Sequence, residues 1–410
     1  MKKTSLFQII LLLCCSTANA QLFNPVSSIN LPEYAGSASW GDYDKDGYVD
    51  LLVVGRDNNS KPISKVFQNK NGTLTEQTNI ILVGLVGKGV WGDYDKDGWL
   101  DILISGQDVT YRPKTVIYRN NGDGSFSLQS QIVLPGTQAG DLAWCDFNND
   151  SYLDIILSGN AGIPDAQYNQ SGIIYTLSDN DNFPKTTILT KIFYNDKNNN
   201  FIENKNCKLI GITLGSVDCG DYNNDGFMDI LLTGIDSTFS NRISKIYRNN
   251  RDGTFIEQTD ISLIGISYGC SRWGDYDNDS LLDILSIGEN ESNIKISQIY
   301  KNNGDNNFSL NNDISIIGIS HGNAAWGDYD NDGYTDFVLT GNTSSRPTSI
   351  IYHNTKNGNF TKVSELLSVY ESNAIWGDYD NDQDLDLIIC GATKYGFISK
   401  IYQNNTQVNK

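Results

Sequence analysis

The sequence predicts an all-β protein, a seven-bladed β-propeller of four-stranded blades in which an N-terminal strand completes the last blade. Three observations predict it. First, the stretch "WGDYDKDGYVDLLVVG" from Trp40 returns in recognisable form from Trp91, Trp144, Cys219, Trp273, Trp326 and Trp376. Second, each copy is followed, after a polar loop, by a strand-and-turn motif such as "VIYRNNGDGSF" or "KIYRNNRDGTF". Third, the chain has a spare strand near its start and lacks one at its end. Phe23 precedes Leu31 as Phe126 precedes Leu134, and the last copy stops at "KIYQNN".

Each repeat supplies four strands. The first ends in Trp-Gly-Asp. The second is the β-branched run after the aspartate loop, "DLLVVG" in the first copy. The third is the aromatic run ending in Asn. An Asn, Asp and Gly turn, which is hairpin chemistry, then leads into the fourth. Four short strands in a unit of about 50 residues, repeated without atypical capping repeats, signal a ring rather than an open solenoid. Six tryptophans share one repeat position, as expected for packing between blades. Cys219 takes the seventh place.

We divide the chain into residues 1–20, read as a secretory signal peptide, and a single propeller over 21–410. Lys2 and Lys3 precede an apolar run and an Ala18-Asn19-Ala20 cleavage site. No later apolar run reaches the ~18 residues of a membrane span. The expectation is a secreted, periplasmic or cell-surface protein that is not transmembrane. The net charge of −19 argues against nucleic acid and anionic membrane surfaces as partners. Cys145, Cys207, Cys219, Cys270 and Cys390 follow the leader without metal-site spacing and read as small buried hydrophobes. A Cys219–Cys270 bridge between adjacent blades is left open.

The aspartates raise the question of a cation. In "DYDKDGYVD", oxygen-bearing side chains fall at positions 1, 3, 5 and 9, with glycine at 6 for the turn and a backbone carbonyl available at 7. Calcium loops of helix–loop–helix proteins begin with the same spacing. Position 12 is not glutamate here, and the flanks are strands. The predicted ligand sets are Asp42, Asp44, Asp46, Tyr48 and Asp50 (loop 42–50); Asp93, Asp95, Asp97, Trp99 and Asp101 (93–101); Asp146, Asn148, Asp150, Tyr152 and Asp154 (146–154); Asp221, Asn223, Asp225, Phe227 and Asp229 (221–229). The remaining sets are Asp275, Asp277, Asp279, Leu281 and Asp283 (275–283); Asp328, Asp330, Asp332, Tyr334 and Asp336 (328–336); and Asp378, Asp380, Asp382, Asp384 and Asp386 (378–386). The predicted cofactor is Ca²⁺, up to seven ions, because calcium accepts many oxygen ligands in flexible geometry. Asn148 and Asn223 replace a third-position acid, and Ser151, Ser280 and Gln383 replace the turn glycine. The third loop carries both changes and is expected to bind most weakly.

These paired motifs resemble the FG-GAP family in its bacterial VCBS form, with its "GDYDNDGxxDLLxTG" loop followed by "YRNNGDGTF". The resemblance covers nearly the whole chain after the leader. It implies the propeller of the integrin α-subunit head, with calcium between first and second strands. It also implies a role among adhesion modules, carbohydrate-binding lectins or non-catalytic parts of polysaccharide-degrading enzymes.

Strand order places the aspartate loops and Asn-Gly turns on one face and the variable connections on the other. The third repeat carries an insertion at about 160–190, in which Tyr168, Tyr175, Asp179 and Asp181 are candidate ligand-binding residues. Lys88, Asp141, Asn323 and Asn373 at one inner-strand position, and Asp218 and Arg272 at another, are further candidates. His321 and His353 read as surface residues. We recognised no nucleophile elbow, HExxH motif or P-loop, so the reading is a non-catalytic binding or adhesion module for a glycan or extracellular protein. The alternatives are a polysaccharide lyase or glycosidase, or a purely structural envelope protein.

Overall fold

The computed structural model describes residues 22–29, 31–161 and 187–406. The leader and Tyr168, Tyr175, Asp179 and Asp181 lie outside these residues.

Among the described residues every regular element is a strand, and the strands form seven antiparallel four-stranded sheets. Blade 2 is representative: Val86–Gly92, Asp101–Gln107, Pro113–Asn120 and Phe126–Leu128, paired in that order. The second strands alternate little because both faces are covered by neighbouring blades; Ile102, Leu103 and Ile104 are all fully buried. The seventh sheet joins the two ends of the chain. Phe23–Pro25 pairs outside Gly396–Asn404, with Phe23 opposite Asn404 and Pro25 opposite Tyr402. Among the described residues no helix is long and apolar enough to cross a membrane.

The tryptophans pack between blades as their repetition predicts. The tyrosine at loop position 2 stacks on the tryptophan of the next blade: Tyr43 on Trp91 at 5.7 Å, Tyr94 on Trp144 at 6.1 Å, Tyr222 on Trp273 at 5.7 Å. The glycine after each tryptophan makes room for the next indole. A Cβ on Gly92 would lie 2.4 Å from the Trp144 ring, and one on Gly377 2.5 Å from Trp40. The junction of blades 3 and 4 departs from this in three compensating ways. Cys219 replaces the indole, Cys145 fills the place of the glycine before it, and Phe147 replaces the tyrosine and packs edge-on to Phe255 at 5.5 Å. We expect Gly92→Ala to destabilise the protein by about 1–3 kcal/mol in urea titrations, because the added methyl meets the rigid edge of Trp144.

The cysteine pairing left open by the sequence is not formed, and its geometry is different. All five described cysteines are free. Cys219 adjoins Cys145, whose thiol hydrogen-bonds with it. Cys270 occupies a different repeat position, and its Sγ accepts a bond from Ala324 N in blade 6 at 3.3 Å.

Candidate metal centres and the opposite face

Each aspartate loop is shaped by its own backbone N–H groups. In blade 1, Asp42 accepts from Asp46 N at 3.1 Å and from Gly47 N at 3.0 Å, and Asp46 accepts from Tyr48 N at 3.0 Å. The same bonds recur, for example from Asp332 N and Gly333 N to Asp328 and from Tyr334 N to Asp332. Position 6 is left-handed in every loop: Gly47 has φ 90°, and the substitutes Ser151, Ser280 and Gln383 adopt 69°, 69° and 76°. The replaced glycines therefore preserve the turn at some conformational cost.

The position 9 carboxylates are the most buried part of each loop. Asp101 is fully buried; its two oxygens accept from Tyr94 N at 3.1 Å and Asn120 N at 2.8 Å. Asn120 ends the third strand, and its side-chain amide donates to Leu100 O at 3.2 Å and to Tyr43 O of the preceding blade at 2.9 Å. The cross-blade bond is made by every blade, through Asn69, Asn120, Asn195, Asn249, Asn302, Asn354 and Asn404. It closes across the chain ends, since Asn69 donates to Tyr379 O at 2.6 Å. The Asn of each "Y-x-N" string is thus an inter-blade latch. Sequence reading assigned it to turn chemistry.

Burial pushes the position 9 carboxyls well up, against the opposing effect of the backbone donors and with help from neighbouring aspartates. Asp50, Asp154, Asp229 and Asp283 are raised to about 7, and Asp101, Asp336 and Asp386 to about 8. A group so placed favours its charged form only if positive charge is nearby.

The donors present fit a hard cation. Carboxylate oxygens of Asp42, Asp44 and Asp50 lie within 4.8 Å of one another, as do those of Asp93, Asp95 and Asp101, of Asp275, Asp277 and Asp279, and of Asp328, Asp330 and Asp336. One oxygen each of Asp93, Asp277, Asp330, Asp380 and Asp384 is buried without a hydrogen-bond partner. Such orphaned acceptors are costly unless something binds them. Several of these clusters can therefore hold a metal ion. In blade 7, Asp384 at position 7 adds a carboxyl that burial and Asp382 raise to about 7.

Other position 7 side chains cover the rim instead. Lys45 lies 4.0 Å over Trp99, Lys96 4.9 Å over Tyr152, and Lys356 5.5 Å over Tyr334. Tyr48 donates to Asn71, and Phe227 lies under Arg251. Tyr48, Trp99, Tyr152, Phe227, Leu281 and Tyr334 carry no carboxylate, so only their backbone carbonyls are available as ligands. The middle residue of "Y-x-N" faces the position 3 carboxylate, a feature the sequence reading missed. Arg119 reaches Asp95 at 2.5 Å, Gln403 reaches Asp380 at 2.7 Å, and Lys301 bonds Asp277. His353 is such a residue: its Nδ1 lies 3.4 Å from Asp330 and 3.2 Å from Asp336, so it belongs to the sixth loop rather than to open surface.

Ser37, Lys88, Asp218, Arg272, Asn323 and Asn373 line a central channel of about 570 Å³, and inner-strand residues at one repeat position lock blade to blade. Ser37 accepts from Gly89 N, Asp141 from Val217 N, Ser216 from Ser271 N, and Asn373 from Ala38 N, at 3.0 to 3.2 Å. Lys88 pairs with Asp141. Asp218 accepts from Trp273 N at 2.9 Å and is raised by burial, an effect that nearby Arg272 opposes.

On the face opposite the aspartate loops, four consecutive blades enter their first strand through a β-bulge. The bulges hold Leu214, Tyr268, His321 and Glu371 at φ 55°, 53°, 52° and 45°. In blades 5 and 6 the segments Gly265–Gly269 and Gly318–Gly322 spell GxSxG, which the sequence reading passed over. Neither is a nucleophile elbow, because no helix follows and Ser267 and Ser320 are buried. Ser320 Oγ bonds Glu289 at 3.0 Å and His321 Nδ1 at 3.1 Å, while the same Nδ1 faces Glu289 at 3.8 Å. One nitrogen facing both partners cannot relay a proton between them.

The FG-GAP-like repeat pattern matches residues 42–104, 93–157, 221–286, 275–339 and 328–389. No curated protein matches the sequence. Similar solved structures include the V. cholerae biofilm matrix protein Bap1 (TM-score 0.46, 10% identity, covering 94% of this chain and 92% of that one). They also include Bacillus licheniformis rhamnogalacturonan lyase PL11 (0.47, 12%, 94% and 76%) and Trypanosoma rangeli sialidase with sialic acid (0.44, 10%, 93% and 57%). With the repeat pattern spanning most of the chain and seven blades built around its loops, the protein belongs to the FG-GAP-like repeat family.

Proposed function

We propose that the protein is a secreted or cell-surface, calcium-binding propeller that acts as a non-catalytic binding or adhesion module for a glycan or extracellular protein. The observation that carries this reading is the division of labour between the two faces. One face gathers aspartate clusters suited to a cation, beside the asparagine latches. The other presents side chains held out by bulges and connections that differ from blade to blade. Calcium would be held by the aspartates at positions 1, 3, 5 and 9, by Asn148 or Asn223 where these stand, and by the carbonyl at position 7, with up to seven ions per chain. The ion would supply positive charge that removes the repulsion among these carboxylates.

The strongly raised carboxyls do not form an acid–base pair. Six of the seven position 9 aspartates spend both oxygens on backbone N–H groups, as Asp50 does on Tyr43 N and Asn69 N, and Asp229 spends one on Asn249 N while its other oxygen is buried. A general acid or base needs an oxygen free to meet substrate. The test is retention on immobilised polysaccharides and surface proteins, with parallel measurement of reducing ends and unsaturated products. Saturable retention without products is expected. Turnover of any polysaccharide by the purified protein would replace the reading with an enzymatic one.

A further inference from the structure

We propose that the cavity of about 470 Å³ between blades 4, 5 and 6, on the face away from the aspartate loops, is a binding site for a neutral saccharide. This rests on the binding-module reading and names the site and ligand class within it.

Three features of the cavity set the chemistry. Flat ring faces come first: Tyr268 and His321 stack at 4.5 Å with their planes 13° apart, and Phe239 on the rim is 54% exposed. Ring faces of this kind receive the C–H face of a sugar ring. Second, the charges cancel within the wall. The Arg242 guanidinium lies 3.6 Å from Glu289 and donates to Asn293 Oδ1 at 2.7 Å and Ser267 Oγ at 2.8 Å. Glu289 also faces His321 at 3.8 Å. An anionic ligand would meet no uncommitted positive charge here, and the chain itself carries −19. Third, planar polar groups held by neighbours surround the rings, which suits recognition of hydroxyl groups whose directions are fixed. The volume falls within the ~300–1,000 Å³ of small-molecule sites.

Backbone geometry accounts for how the two rings meet. Tyr268 and His321 are aromatic residues at φ 53° and 52°, a region that bulky side chains rarely occupy. The same left-handed backbone recurs at Ala139, Leu214 and Glu371, so the turn belongs to the repeat and the residue it carries differs from blade to blade. A bulge re-aims a side chain, and in blades 5 and 6 it aims two rings into one cavity.

The test is ligand-observed NMR with methyl glycosides of glucose, galactose, mannose and N-acetylglucosamine, and their oligosaccharides, against wild type and the Tyr268→Asn/His321→Asn double variant. Asparagine tolerates the left-handed backbone, so the variant keeps the bulge while losing the stack; unchanged melting checks this. Arg242→Lys is a second variant, which loses the planar donor set without removing the rings. We expect saturable binding of at least one neutral sugar, weakened about tenfold or more by the double variant. Binding unchanged in both variants would overturn this site and leave the binding-module reading standing. Binding confined to uronates or sialylated sugars, run as controls, would overturn the neutral ligand class. Absence of any saccharide binding would overturn the site, and retention of protein ligands would then decide the broader reading separately.

Discussion

Chelation with EDTA is expected to lower the melting temperature by about 20 °C or more and to strip several calcium ions from the native mass spectrum. One cation at a hundred times its Kd stabilises by about 2.7 kcal/mol, and several sites together give a shift of that order. The stripped protein should also respond to pH in an unusual direction. Its position 9 carboxyls are raised by burial from an ordinary 3.8 to about 7 or 8. The folded state therefore holds more protons than the unfolded state between these values, so stability is greatest below about pH 4 and falls as pH rises through 7 to 8. Scanning fluorimetry in EDTA should show a higher melting temperature at pH 5.5 than at pH 8.5. In calcium the gap narrows, because the ion binds the deprotonated loop and its stabilisation grows with pH. A melting temperature unmoved by EDTA would remove the cation from the account of these loops. A stripped form more stable at pH 8.5 would show that its buried aspartates ionise without penalty.

Asp101→Ala should cost on the order of 4 kcal/mol even in EDTA, because it leaves two buried backbone donors unsatisfied. Those donors are Tyr94 N and Asn120 N, and the latch from Asn120 to Tyr43 O is anchored beside them. Asp97→Ala is the contrasting variant. Asp97 is partly exposed, with Arg119 at 2.5 Å and Trp99 N as partners, and its loss in EDTA should cost less than about 1 kcal/mol. In calcium, Asp97→Ala should lower the ion count by one. Urea titrations with and without EDTA separate the two roles. Equal costs for the two variants would mean that position 9 acts only as a ligand like the others and does not tie the loop to the third strand.

The sequence by itself determined the architecture. Seven copies of one strand-loop-strand unit cannot each bury an apolar second strand alone, and a spare strand at the start matches a missing one at the end. The tryptophan position, the loop boundaries and the chemistry of the loop carboxylates were legible for the same reason: repetition separates what every blade needs from what one blade carries. What repetition could not show is which copy faces which neighbour. Asn69 and Asn404 read as turn residues until the ring brings each against the preceding blade's backbone. Ser37, Asp141 and Asn373 look divergent, yet all three accept the same cross-blade backbone bond, a role many side chains can fill. Cys145, Phe147 and Cys219 are separate exceptions in the sequence and one packing solution in space. The same is true of His321 and Tyr268. Distant in sequence, at equivalent places in two GxSxG strings, they meet because a backbone bulge in each of two blades turns both rings toward one cavity.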